Sequence, residues 1–496
     1  MRADTTFLTA AEASAEAGLF RILRPGANCW RIARAPRAAV LVDGEAYFRR
    51  LEQVLKRATR SILLVGWDFD ASIRLTPDRP DGRSVALGDL LRGLVGERPE
   101  LEIRILVWSL STLHAPSATL PLIFGASWQD HPRIHVRLDR KHPIYAAHHQ
   151  KVVCIDETMA FVGGMDLTVD RWDTTEHRVE HPVRRTPKGV VYGPVHDTQM
   201  AVEGDAARAL ADLVRERWCR ATGEMLVPAE PADDLWPDGL EPDFIDADVA
   251  IARTEPGWAG APAVRECARL TVDALAAARG AIYIEAQYLT APAIRDQLAK
   301  ILERPDGPEI AVIVTKVCHG MLERLFMGAN RDRLIRHLKD CDADDRFRAF
   351  HPVVTGDDGN EIDVLIHSKL VIVDDTFIRV GSSNLNNRSI GLDTECDVAI
   401  EARNAAQRKA IARIRTRLLA EHLGESCTAV ERAVAAERSI VRAIDRLNRG
   451  PRRLRCYGAL DERGPWRSLP GTRLFDPEKP IRWLELLSLQ RPRSRL

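Results

Sequence analysis

Two histidines and two lysines occupy matched positions in two distant parts of the chain. The stretch "AHHQKVVCIDETMAFVGGMDL" (147–167) lies over "LIHSKLVIVDDTFIRVGSSNL" (365–385) without a gap. This puts His149 over His367, Lys151 over Lys369, Asp156 over Asp374 and Gly163 over Gly381. Two imidazoles suit a displacement at phosphorus in two steps. One attacks and becomes a phosphohistidine; the other, protonated, gives its proton to the departing alcohol and then deprotonates water or a second alcohol. Lys151 and Lys369 balance the phosphate charge and stabilise the five-coordinate transition state. The small-residue turns that follow, "GGMD" and "GSSN", let backbone N–H groups and the Ser382 and Asn384 side chains approach an anion. No His/Cys/carboxylate cluster with ligand spacing is evident, so neither a metal nor another cofactor is expected.

Strand parity sorts these residues further. His149 and Lys151 share one face of an extended segment, as do His367 and Lys369. Asp156 and Asp374 complete the motif and are counted with the catalytic six, but they have the opposite parity and open a turn, which reads as an anchoring role. A reactive imidazole also needs an acceptor on its other nitrogen. Asp197 in "HDTQMAV" and Glu395 in "TECDVAI" occupy equivalent strand starts and are the expected orienting carboxylates.

The elements around the motif repeat as well. An amphipathic helix ("EAYFRRLEQVLKRA"; "VRECARLTVDALAAARG") leads into a short apolar strand ("SILLVG"; "AIYIEA"), then a helix, a second strand ("EIRILVW"; "EIAVIVT") and the motif. Each copy closes with a strand and a long helix. This order predicts an α/β fold of two pseudo-twofold-related domains, each a mostly parallel mixed sheet flanked by helices. The expected divisions are an N-terminal extension (1–37), a first half (38–226), an acidic Pro-rich linker (227–248), a second half (249–425) and a helical Arg-rich tail (426–496).

Lys+Arg and Asp+Glu are both 71 of 496 residues, and the neutral balance argues against a nucleic-acid-gripping stripe. Nine Cys without a C-x-x-C pair read as reduced thiols. No apolar run suggests a signal peptide or a transmembrane helix. The expectation is a cytoplasmic protein, able to touch a membrane surface peripherally and functional as a monomer.

The doubled H-x-K-x4-D motif, "GGMDL", "GSSNL" and "IYIEAQY" together resemble the phospholipase D superfamily. "YAAHHQKVVCIDETMAFVGGMDLTVDRWD" is similar to the first catalytic motif of the eukaryotic-type phospholipases D and their bacterial relatives. The resemblance spans roughly residues 38–425. It implies one active site at the interface of the two halves, with His149 the nucleophile and His367 the general acid. It also implies a phospholipid substrate at a membrane surface and water or an alcohol as acceptor. Asp166 occupies the position of Asn384 and is counted at the phosphate, with an acceptor in place of a donor. The expected activity is head-group hydrolysis to phosphatidic acid with accompanying transphosphatidylation. Cardiolipin synthase-type transfer is the alternative; a nuclease and a catalytically dead lipid-binding protein rank lower. Among neighbouring residues, His148 is expected to be packed, and Trp67 and Tyr288 to stand at a pocket rim or in the core. Arg171 in "DRWD" is expected to order a loop.

Overall fold

The computed structural model describes residues 22–79, 82–109, 126–316, 327–457 and 476–480. The first half contains β1 (Arg31–Val42), α1 (Asp43–Leu55), β2 (Ser61–Gly66), α2 (Leu87–Glu97), β3 (Glu102–Trp108) and β4 (Ile134–Asp139). It continues with β5 (Val152–Ile155), β6 (Met159–Gly163), β7 (Val195–His196), β8 (Thr198–Glu203) and α3 (Asp205–Thr222). The second half repeats the order with β9 (Phe244–Glu255), β10 (Val264–Arg265), α4 (Glu266–Ala277), β11 (Ala281–Ala286), α5 (Pro292–Leu302) and β12 (Glu309–Val314). After α6 (Ala329–Asp340) come β13 (Phe347–Thr355), β14 (Glu361–Asp363), β15 (Leu365–Ile366), β16 (Lys369–Val373) and β17 (Phe377–Gly381). The chain then forms α7 (Asn387–Gly391), β18 (Glu395–Glu401), α8 (Ala405–Leu423), α9 (Cys427–Glu437), α10 (Ile440–Leu447) and β19 (Arg452–Cys456).

Strand pairing runs β4-β3-β2-β5-β6-β8-β1 through the first half and β9-β18-β17-β16-β11-β12-β13 through the second. The two runs join where β1 lies antiparallel to β9, with Arg34 opposite Asp248. A pseudo-twofold axis passes through that pair. Strands buried on both faces explain the continuous apolar runs. Leu63 and Val65 of β2 face α3, whereas Ile62 and Leu64 face α1 and α2. In the second half α8 covers the same face as α3, and α4, α5 and α6 cover the opposite one. Local signals fix the helix ends: the Asn404 side chain accepts from Gln407 N at 2.9 Å to start α8, and Gly424 ends it in the left-handed region at φ 65°.

The α/β class, the mixed sheet and the flanking helices are as the sequence predicts, but the balance of strand directions is not. In this sheet, parallel pairing is confined to β2–β3, β3–β4 and their counterparts β11–β12 and β12–β13. The motif strands form hairpins, β5–β6 and β16–β17, and a hairpin must be antiparallel. The expected divisions also shift. β1 begins inside the N-terminal extension, and β9 begins inside the stretch expected as a linker. That stretch also buries Leu235 and Trp236 against the first half's core. The tail expected to be helical also contains a strand: α10 packs on the second half and β19 pairs with β13. Residues 1–21 and the "RPRSRL" ending lie outside the described residues.

Candidate active site

The two motif strands reach the same place because the segments leading into them cross between halves. Ile366 pairs in parallel with His196, and His367 N donates to His196 O at 2.8 Å. Symmetrically, His149 N donates to Thr394 O at 3.0 Å, and Thr394 N donates to Ala147 O at 3.0 Å. Each histidine is therefore registered against the residue that precedes the other half's closing strand. Its ring meets the carboxylate that opens that strand. His149 Nδ1 lies 2.9 Å from Glu395 Oε2, and His367 Nδ1 lies 2.6 Å from Asp197 Oδ2. Among the described residues neither Nε2 atom has a hydrogen-bond partner.

The surroundings of these pairs differ. The Glu395 carboxylate also accepts from the Ser382 and Ser389 hydroxyls, the latter at 2.6 Å. At the position equivalent to Ser382 stands Gly164, where a Cβ would run into the Asp197 carboxylate. Asp197 instead accepts from Thr198 N at 2.8 Å. Burial pushes Glu395 up to about 8 against those hydroxyls, and pushes Asp197 up to about 6 against the pull of Lys369. Both imidazoles are held well below their ordinary range. Burial is the main cause for each, followed by Lys151 and Lys369 at His149, and by Lys369, Arg171 and Lys151 at His367. Burial and the surrounding cations both favour the neutral form of each ring.

The lysines are held unequally. Lys151 Nζ lies 3.1 Å from Asp166 Oδ2 and donates to His149 O at 3.1 Å. Lys369 Nζ donates to the neutral Gln287 Oε1 at 2.9 Å and to His367 O. Burial lowers Lys369 to about 7 despite the opposing Asp197. Asp166, counted above among the phosphate contacts, is instead committed to protein. Its Oδ2 faces Lys151, and its Oδ1 accepts from Trp67 N at 2.8 Å. Asn384 Oδ1 is buried without a partner, and Asn384 N donates to Ser389 Oγ at 3.1 Å.

Asp156 and Asp374, counted with the catalytic six, lie at the far end of the motif strands from the histidines. Asp156 is in the left-handed region at φ 49°, which Asp tolerates. It accepts from the backbone N–H groups of Thr59, Arg60 and Ser61 at 2.6–2.9 Å. Asp374 does the same for Arg279, Gly280 and Ala281 at 2.7–3.1 Å. Each caps the start of the neighbouring strand, which sets the register of the hairpin but supplies no group to the site.

Several site residues escaped the sequence reading. Gln287 follows β11 in "IYIEAQY", and Ser389 comes from α7. Asp393 Oδ1 accepts from Ala147 N at 2.7 Å, next to the catalytic strand. Behind His367 lies a buried network. His196 Nε2 is 2.9 Å from Glu285 Oε2, and His196 Nδ1 is 2.7 Å from Glu421 Oε1. His177 Nδ1 is 3.0 Å from Asp173 Oδ2. Asp43, His177, His196 and Glu421 bring one ligand-type atom each to within 4.8 Å of the others, an arrangement able to hold a cation. His148 is buried against Gln150, and Trp67 stacks on Trp108 with ring centroids 5.8 Å apart.

A model described as "Phospholipase D" matches residues 54–235, and one described as "Cardiolipin synthase, PLD-like domain" matches residues 271–412. The chain is 24% identical over 473 residues to phospholipase D A of Dictyostelium discoideum, covering 77% of this chain and 35% of that one. It is 23% identical over 488 residues to phospholipase D alpha 4 of Arabidopsis thaliana, covering 76% and 63%. It thus spans about a third and somewhat under two thirds of these relatives' lengths. The fold resembles the crystal structure of a phosphatidylserine synthase from Haemophilus influenzae, with a TM-score of 0.53 at 13% identity over 78% of this chain and 88% of that one. Matched in both halves by phospholipase D-like models, the chain belongs to the phospholipase D superfamily. No helix among the described residues is long and apolar enough to cross a membrane.

Proposed function

We propose that the protein cleaves phospholipid head groups as a phospholipase D, releasing phosphatidic acid through a phosphohistidine and passing the phosphatidyl group to alcohols when they are present. The observation that carries this reading is the crossed pair: each imidazole offers a free Nε2 while a carboxylate from the opposite half holds its Nδ1. With Nδ1–H donated to Glu395, the His149 Nε2 lone pair is available to attack phosphorus. An incoming phosphodiester anion cancels part of the positive field of Lys151, Lys369 and Arg171. His367 can then hold the proton that the leaving oxygen needs. In the second step neutral His367 takes a proton from water or an alcohol, whose oxygen attacks phosphorus and releases His149. Each step inverts phosphorus, so the overall course is retention.

Transfer between two lipids, as in cardiolipin formation, is the second reading. It is favoured by the description of the family model that matches the second half. The two separate on a panel of phosphatidylcholine, phosphatidylglycerol and single-stranded DNA, with and without ethanol, with products identified by mass spectrometry. The expected products are phosphatidic acid and, with ethanol, phosphatidylethanol. His149→Ala and His367→Ala are each expected to lower turnover by at least about 1,000-fold with the fold unchanged by circular dichroism. Wild-type rates in either variant would overturn the mechanism. Cardiolipin as the dominant product would select the second reading.

A further inference from the structure

The segment Thr168–Trp172 walls a half-open cavity of about 280 Å³. Three arginines line it: Arg74, Arg171 and Arg185. Among the described residues none of the three forms an ion pair, although more than half of the described arginines do. Arg171 is 8% exposed, its Nε has no hydrogen-bond partner, and NH1 reaches only the Asp170 carbonyl at 3.0 Å. Arg185 contacts only backbone carbonyls, at 3.3 and 3.5 Å. The Asp197 carboxylate feels the Arg171 charge but does not contact it, and a buried guanidinium with no acidic group in contact is costly unless a ligand supplies one. Among the described residues the one acidic group in the lining is Asp170, and Phe48, Ile73 and Trp172 supply an apolar wall. The cavity follows the Gly163–Asp166 turn directly in the chain, and the Arg171 charge is felt at both His367 and Lys369.

We propose that this cavity receives an anionic group, a carboxylate or a second phosphate, carried by the ligand whose phosphodiester lies between His149 and His367. The inference rests on the phospholipase D reading and narrows it: the preferred head group is an acidic one, and a purely cationic head group such as choline is disfavoured. Arg171 joins the cavity to the reacting phosphate, while Arg74 and Arg185, both exposed, set the selectivity.

Calorimetric binding of O-phospho-L-serine and phosphocholine to the full chain tests this without turnover, because both carry the phosphate and only the first adds a carboxylate. Phosphoserine is expected to bind about tenfold tighter or more, the worth of a charge-assisted contact, and the Arg74→Gln/Arg185→Gln variant is expected to lose most of that preference. Equal binding of the two compounds, or a preference untouched in the variant, would overturn the proposal. Vesicles of phosphatidylserine and of phosphatidylcholine provide a second arm. The ratio of their kcat/KM values is expected to favour the serine lipid and to fall about tenfold in the variant. An unchanged ratio alongside sustained turnover would overturn the acidic head group and leave the phospholipase reading standing. Absent turnover of both lipids, with the binding preference intact, would overturn that reading and leave the anion site.

Discussion

The two halves contribute the same His-x-Lys pair, yet they treat it differently. In the first, Asp166 neutralises Lys151, and His149 relies on a Glu395 carboxylate gripped by two serine hydroxyls. In the second, Lys369 rests on the neutral Gln287, and His367 relies on Asp197, which a glycine leaves room for. The difference teaches that a duplicated motif supplies two reactive groups, while their unequal neighbours divide the labour between them. On the proposed mechanism Lys369, which has no acidic contact among the described residues, carries more of the phosphate charge than Lys151, which Asp166 already neutralises.

That contrast can be broken or sharpened by substitution. The largest effects are expected from Glu395→Gln and Asp197→Asn, each on the order of 100-fold in kcat. Because the carboxylates cross between halves, Glu395→Gln should slow formation of the phosphoenzyme on His149, whereas Asp197→Asn should slow proton delivery and its breakdown. Rapid-quench kinetics with a short-chain lipid distinguishes the two. The opposite assignment would mean that each carboxylate serves its own half.

A smaller effect, about tenfold, is expected from pH. Lys369 is depressed to about 7, so its charge is lost as the pH rises through that value. Asp197 is raised to about 6 and Glu395 to about 8, so their carboxylates are lost as the pH falls through those values. The kcat/KM profile should therefore be a narrow bell, its acid limb set by the two carboxylates and its alkaline limb by Lys369. Lys369→Arg should move the alkaline limb upward, since a guanidinium keeps its proton. An alkaline limb that stays in place would assign it to another group.

The smallest catalytic effect is expected from Asp156→Ala and Asp374→Ala. Each strips the acceptor from three backbone N–H groups, a cost of about 1–3 kcal/mol that lowers Tm. Turnover at 25 °C should stay within about twofold of the wild type. Lost turnover at unchanged Tm would return these aspartates to the chemistry.

Much of this arrangement is legible from the residues alone. The gapless repeat marks His149, Lys151, His367 and Lys369, and strand parity separates Asp156 and Asp374 from them. Equivalent strand starts single out Asp197 and Glu395. Which imidazole each carboxylate meets is not written locally, because it follows from the crossing of Ile366 with His196 and of His148 with Thr394. Nor do continuous apolar runs such as "VVCI" and "KLVIV" reveal strand direction: burial on both faces erases the alternation that would betray a hairpin. Gln287 lies 82 residues before Lys369 in the chain, Ser389 falls just beyond the second motif's turn, and neither carries a periodic signal. Arg171 reads as an ordinary loop arginine until the absence of a counter-charge is seen in space. The strand in the tail expected to be helical is not legible because β19 pairs with β13, about a hundred residues upstream.

The most direct measurement is intact-protein mass spectrometry of the His367→Ala variant, quenched at alkaline pH after mixing with a short-chain phosphatidyl-p-nitrophenol, whose head group departs without needing a proton. A single phosphatidyl adduct that maps to His149 and persists is the predicted result, because attack can still occur while the group that activates water is gone. An adduct on another residue, or none under conditions where the wild type turns over normally and the variant still releases head group, would contradict the account.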